Sequence, residues 1–194
     1  FNTDLLEIYI RAARKFGKGM FDETISRYLG FFSQIADTTH ISTESGGWLI
    51  PDYWHPSEIT APHTSLNHQA AECLALYHAS DLFDREDLRA LADRMLLAIE
   101  DTGSGWVMPD HNLYYSIKPD GTYVELGYAD EDKRRAEVAK ALSQVPVAKA
   151  LRAGCMGSET TNMAKQPGVT RKEAQEALLR SLGAVSYTHL TLPT

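Results

Sequence analysis

The chain has 194 residues, 43% of them hydrophobic and 23% charged, with a formal net charge of −7. That suffices for one sizeable core, and no apolar run approaches the roughly 20 residues of a membrane-spanning helix. An acidic balance without a stripe dense in lysine and arginine excludes a general nucleic-acid or anionic-membrane surface, whose affinity comes from a clustered positive field. Cys73 and Cys155 lie far apart without CxxC spacing, so both are read as ordinary thiols.

Phe1 stands in place of an initiator methionine, which leaves a lost signal peptide or upstream domain open and the compartment unassigned. From Asp4 onward, Leu5, Ile8, Tyr9, Ala12 and Phe16 follow the spacing of one helical face, with Thr3 as its cap. Gly17 and Gly19 break this helix. Phe21, Ile25, Tyr28, Leu29, Phe32, Ile35 and Ala36 then predict a second, antiparallel one. The stretch 37–65, rich in Thr, Ser, Gly, Pro and His, reads as a long loop of the kind that carries function.

Leu66, Ala70, Cys73, Leu74 and Tyr77 predict a third helix, ending in a break over 80–83. Asp84 then caps a fourth, which buries Leu88, Leu91, Ala92, Met95 and Ile99 and leaves Arg85, Arg89, Asp93 and Arg94 to solvent. The period changes over 114–126, where two β-favouring segments flank Pro119, Asp120 and Gly121, a β-hairpin signal. Ala136, Ala139 and Leu142 predict a further helix that Pro146 ends or kinks, and 152–168 reads as loop. Thr170 to Glu173 form a capping box for a helix through Ala174, Ala177, Leu178 and Ser181, which Gly183 stops. The closing run 184–194, AVSYTHLTLPT, resembles the translation of a sequencing-library adaptor, so the domain is expected to span 1–183 with a non-native tail.

The sequence also repeats itself. Gly47-Trp48-Leu49-Ile50-Pro51-Asp52 recurs as Gly105-Trp106-Val107-Met108-Pro109-Asp110, an offset of 58 residues, and each copy follows the second helix of a hairpin. A helical pair cannot cover both of its own apolar edges, so repeated pairs must stack. A period this long, with long connections, suits a closed ring better than tightly connected short repeats. The expected architecture is therefore all-α, a fragment of a helical-hairpin (α/α) toroid with a small β-hairpin insert. In such an array the long connections gather at one end.

Over roughly residues 52–112 the chain resembles the C-terminal helical domain of D-glucuronyl C5-epimerases. The resemblance rests on Asp52-Tyr53-Trp54, Pro62, Ser65-Leu66-Asn67 opening a helix, Leu76-Tyr77 near its end, and the string Asp101-Thr102-Gly103-Ser104-Gly105. Related toroids, including polysaccharide lyases and unsaturated-uronyl hydrolases, share much of this pattern. The resemblance implies proton removal from C5 of a uronic acid and return to the opposite face, with an acid/base group on each side. Glu58 falls where the family has an acidic residue; Ile59, and Trp106 after the glycines, stand where it has tyrosines.

The residues themselves supply the other candidates. Asp52 and Asp110 hold the same place in the repeat, either as paired carboxylates of a hydrolase or as turn residues steering the next segment. Trp48 and Trp106 are either sugar-stacking platforms or packing between hairpins. His55, His63, His68 and His111 accompany Tyr53, Trp54, Tyr114 and Tyr115 in the loops, a mixture suited to saccharide hydroxyls and pyranose faces, or to backbone-satisfied histidines. His68 and Glu72, four apart, share a helical face, where the carboxylate either orients an imidazole base or is simply solvated. Catalytic candidates are thus Glu58, His68, Asp52, Asp110 and Tyr115, and the other aromatics and histidines are substrate-binding ones. No HExxH or paired-cysteine spacing exists, so neither metal nor other cofactor is expected. The stretches 37–67 and 101–130 hold one cation, Lys118, so an anionic sugar would draw its counter-charge from elsewhere. A saccharide partner is expected, whether for an epimerase, lyase or glycosidase or for a non-catalytic scaffold binding a glycan or protein.

Overall fold

The computed structural model describes residues 3–57, 62–109, 113–125, 143–149 and 152. Helix α1 (Thr3–Phe16) and helix α2 (Asp22–Thr39) are joined by a turn in which Gly17 and Gly19 take φ of 99° and 107°, the left-handed region open to glycine. Tyr9 stacks on Phe21 at 5.2 Å, while Thr3 and Leu6 meet Tyr28 and Phe32 around one small cavity, so the pair is antiparallel as expected. The buried stripe of α1 is nevertheless Thr3, Leu6, Ile10 and Ala13, whereas Leu5, Ile8 and Phe16 are exposed. Two apolar stripes run along this helix, and periodicity alone does not choose between them. Thr3 lies within the helix rather than capping it, and its hydroxyl donates to Glu72 Oε1 at 3.2 Å.

Helix α3 (Leu66–Phe83) continues through the expected break. Asp84 closes α3 in the left-handed conformation (φ 55°), and Arg85 precedes helix α4 (Glu86–Thr102). The expected buried face of α4 is as read, but three of its expected solvent residues, Arg89, Asp93 and Arg94, are engaged, Arg94 lying over the Trp48 ring. Asp93 accepts a 2.6 Å bond from the Tyr77 hydroxyl, and Arg89 lies over the Tyr77 ring. Instead of one stripe, α3 buries nearly its whole circumference, including Asn67, Gln69, Glu72, His78 and Ser80, because α1 packs on one side and α4 on another.

Cross-helix bonds fix the directions. Gln69 reaches Met95 and Cys73 reaches Ala92, so α3 and α4 are antiparallel. Thr3 meets Glu72, Glu7 meets His78 and Arg14 meets Asp81, so α1 and α3 are parallel. Two hairpins thus stack with their first helices aligned. The C-termini of α2 and α4 and the N-terminus of α3 lie at the same end.

All the described strands gather there. Strands β1 (Ile41–Ser42) and β2 (Trp48–Leu49) form an antiparallel hairpin inside the stretch read as loop. Strand β3 (Thr64–Ser65) runs directly into α3 and pairs with β4 (Ser116–Ile117), which pairs with β5 (Tyr123–Val124). The β4–β5 turn matches its signal: Gly121 has φ 83°, and Asp120 Oδ1 accepts the Thr122 N–H at 2.9 Å. The architecture is mainly helical with small antiparallel sheets. Residues 143–149 are helical on both sides of Pro146, and Arg152, read as loop, is helical too. The segments read as helix at 136–142 and 170–182, Cys155 and the tail 184–194 fall outside the described residues.

The tryptophan repeat marks two different local structures. Trp48 lies in β2, whereas Trp106 ends a 3-10 turn (Gly103–Trp106) straight after α4. The helices recur at 63 or 64 residues (Thr3 to Leu66, Asp22 to Glu86), so the 58-residue motif is out of step with them, although both copies stand at one end of the array. What the copies share is a close approach at glycine. A Cβ on Gly47 would fall 2.3 Å from the Ala98 backbone nitrogen, and one on Gly105 would fall 2.3 Å from the Tyr123 hydroxyl. A backbone atom inside α4 cannot move aside, while the end of a tyrosine ring can. Gly47→Ala should therefore cost about 2–3 kcal/mol and Gly105→Ala about 1 kcal/mol. Urea unfolding of both variants checks the order, and equal losses would refute it.

Candidate functional site

The segment after β2 is fastened from below. Gln69, fully buried on α3, accepts the Ile50 N–H on Oε1 at 3.0 Å and donates from Nε2 to the carbonyls of Trp48 at 2.7 Å and Met95 at 3.1 Å. Two residues on, Asp52 Oδ1 accepts the Ser65 N–H at 2.7 Å, and the Asp52 N–H donates to the His63 carbonyl at 3.0 Å. The Asp52 side chain is 3% exposed. These bonds pin both ends of the loop 52–63 beside the N-terminus of α3.

Two imidazoles converge on the other carboxylate oxygen. His63 Nε2 lies 3.2 Å and His68 Nδ1 3.1 Å from Asp52 Oδ2. Both are close approaches outside hydrogen-bond geometry, and each becomes an ion pair when its imidazole is protonated. The side chain of His63 is 29% exposed and that of His68 45%, so the imidazoles reach solvent where the carboxylate does not. Tyr53 meets His63 edge-on with centroids 5.7 Å apart, and Tyr115 lies 5.7 Å away at 59°. Tyr115 is held by its backbone, its N–H donating to the Val124 carbonyl and its carbonyl accepting the Leu66 N–H. Five expected residues, Asp52, Tyr53, His63, His68 and Tyr115, therefore come together. Among the described residues no group of three or more His, Cys, Asp and Glu is arranged to hold a metal ion.

The others lie elsewhere. Trp48 is stacked by His40 at 3.7 Å with Arg94 4.3 Å over its ring, so its faces are already engaged by protein. Trp106 is fully buried, donates to Thr102 Oγ1 at 2.7 Å and packs on Tyr123, which leaves it no surface for a sugar. Tyr114 belongs to the same aromatic group, 5.4 Å from Tyr123. His55 is exposed and bonded to its neighbour Ser57. Trp54 is exposed and meets Phe31. Glu58, Asp110 and His111 fall outside the described residues.

Glu72 departs from its expected place beside His68. It is buried with Thr3, Leu6, Tyr28, Phe32 and Leu76, and the carboxylate that meets His68 is Asp52. Burial pushes the Glu72 carboxyl up to about 8; the Asp52 carboxylate adds to the rise, and the bond from Thr3 opposes it. The tie through Gln69 was not legible as such, although a glutamine inside an apolar helical run signals a buried amide with partners to find.

Comparison with known proteins sets nothing beside the chain: no protein family, no curated protein and no solved structure matches it.

Two outcomes follow from this bonding. Removing the Gln69 carboxamide strands buried backbone groups of Trp48, Ile50 and Met95, so Gln69→Ala should lose about 2–4 kcal/mol in urea unfolding. A loss under about 1 kcal/mol would mean that the amide is not the tie. Glu72, raised from an ordinary 4.5 to about 8, keeps a proton in the folded state that the unfolded chain releases. Stability should therefore fall as pH rises from about 4.5 to about 8. Glu72→Gln should remove that slope and stabilise the protein at pH 8 by on the order of 2–4 kcal/mol, with little effect at pH 4. Thermal melts across this range test it, and a slope unchanged in the variant would count against it.

Proposed function

We propose that this chain is part of a carbohydrate-active (α/α) toroid and that Asp52, His63 and His68, with Tyr53 and Tyr115, form its saccharide-facing acid/base centre. The observation that carries the reading is the convergence of two partly exposed imidazoles from separate segments on one buried carboxylate oxygen, within 3.2 Å. Parallel first helices with every described strand at one end support the ring, and so do Ile8 and Phe16, exposed along the outer flank of α1 as at the edge of an unfinished array.

In this reading Asp52 orients the imidazoles and His68, the more exposed, exchanges the proton. His63 stands between two phenols that hydrogen-bond sugar hydroxyls. The resemblance over 52–112 points to a uronic acid, whose C5 proton is removed by the base. Return of a proton to the opposite face gives the epimer. Departure of the C4 oxygen with the C4–O bonding pair, and protonation of that oxygen, gives an unsaturated sugar instead. A hydrolase built on Asp52 draws no support from the site, because a carboxylate 3% exposed does not reach a glycosidic oxygen.

The test mixes the protein with heparosan, alginate and pectin oligosaccharides in deuterated water and follows ring-proton resonances of His63 and His68 together with the sugar C5 signal. At least one sugar should shift both histidines, and His68→Ala should weaken its binding at least fivefold. Deuterium at C5 marks an epimerase, unsaturated ends mark a lyase, and binding without either marks a glycan-binding scaffold. If no member of the panel perturbs either histidine, the saccharide reading falls.

A further inference from the structure

Helix α1 turns one apolar stripe to the core and leaves the other in solvent. Ile8 is 60% exposed, Phe16 66% and Met20, in the turn that follows, 69%, with Leu5 at 40%. Among the described residues these are four of the seven large hydrophobics that stand exposed, and Leu5, Ile8, Ala12 and Phe16 fall three or four residues apart on one helical face. Lys15 reaches over the Phe16 ring with its nitrogen 5.3 Å from the centroid, yet that side chain stays largely in solvent. Charge is divided along the same helix: Asp4 stands in its first turn and Lys15 in its last, three turns apart and therefore on one flank of the stripe. The other two cations of α1 are engaged within the molecule, Arg11 with Glu7 and Arg14 with Asp81.

We infer that this flank of α1 is a dimerisation surface, occupied by the same flank of a second copy of this chain packed antiparallel about a two-fold axis. The charges choose both the partner and the direction. An antiparallel copy sets Leu5 against Phe16 and Ile8 against Ala12, and it brings Asp4 of each copy beside Lys15 of the other, whereas a parallel copy would set Lys15 against Lys15. A carboxylate takes several donors at once, so Asp4 can receive this one whatever else it bonds. Opposed helix macrodipoles favour the same direction. Area sets the strength: a face about 21 Å long and about 10 Å wide is well short of the roughly 800 Å² per partner of a standard interface, so the pair forms reversibly in the micromolar range. Exposed ion pairs add little energy, and here they fix the register more than the affinity. The inference stands apart from the sugar reading, since α1 carries no part of the His63–His68 centre.

The experiment follows sedimentation equilibrium of the 194-residue protein from about 1 µM to about 100 µM. Wild type is set beside Ile8→Glu, Asp4→Lys, Lys15→Glu, the two charge reversals combined, and Trp54→Ala, each first checked for an unchanged circular dichroism spectrum. Wild type should pass from monomer to dimer across the range. Ile8→Glu should raise the dissociation constant about tenfold and each single charge reversal about threefold, while the combined reversal returns to within about twofold of wild type. Trp54→Ala, on another exposed aromatic surface, should leave association unchanged. A wild type that stays monomeric at every concentration overturns the inference and leaves the flank to another partner, such as a further hairpin stacked parallel to α1 as α1 is to α3. Association abolished by Trp54→Ala and untouched by Ile8→Glu overturns it too, by placing the interface elsewhere. Failure of the combined reversal to recover rules out the antiparallel packing.

Discussion

The Gln69 side chain is fully buried in α3, and its amide satisfies three backbone groups drawn from β2, the residue after it and α4. An unmade hydrogen bond in such a place costs a few kcal/mol, so the loop end of the molecule is set by where this one amide sits. From it follow the position of Pro51 and Asp52, the meeting of Asp52 with the Ser65 N–H, and the entry of β3 into α3. The close contact of Gly47 on α4 and the bonds from Thr43 and Ser45 to Asp101 complete the fastening on the opposite flank.

That fastening places two carboxyl groups in one neighbourhood with different surroundings. Asp52 is met by a backbone N–H and approached by two imidazoles. Glu72 accepts from the Thr3 hydroxyl and is buried among Leu6, Tyr28, Phe32 and Leu76, surroundings that suit a neutral acid. Burial is the main cause of the rise at the Glu72 carboxyl, and the neighbouring Asp52 adds to it. Asp52 sits beside the exposed histidines, and Glu72, whose carboxyl burial favours in the neutral form, closes the core beneath.

Much of the helical framework was legible because leucines and alanines at helical spacing have few other uses. Leu88, Leu91, Ala92, Met95 and Ile99 are all buried as their spacing requires. The β4–β5 hairpin was legible for a different reason, the demand of Gly121 for positive φ. Where the reading went astray, a partner decided the outcome: α1 turned its second stripe inward because Thr3 and Arg14 reach α3, and Asp84 became a left-handed stop, not a cap, because the helices join with no break. The gathering of Asp52, His63, His68, Tyr53 and Tyr115 was legible as a list and not as a constellation, since nothing local says that residue 52 bonds residue 65. Trp48 and Trp106 share a motif for packing reasons, each beside a glycine pressed on its neighbour, so repetition there reported sterics more than ligand contact.

The bond from the Asp52 N–H to the His63 carbonyl joins the two feet of the segment between them. With the feet held, the intervening span is thermodynamically insulated, since doubling its length would add only about 0.6 kcal/mol of closure entropy. Descendants of this gene are thus free to lengthen, shorten or rewrite 54–61 while Asp52, His63 and His68 stay in place. Variation here without displacement of the carboxylate and its two imidazoles is built into how this one stretch is tethered.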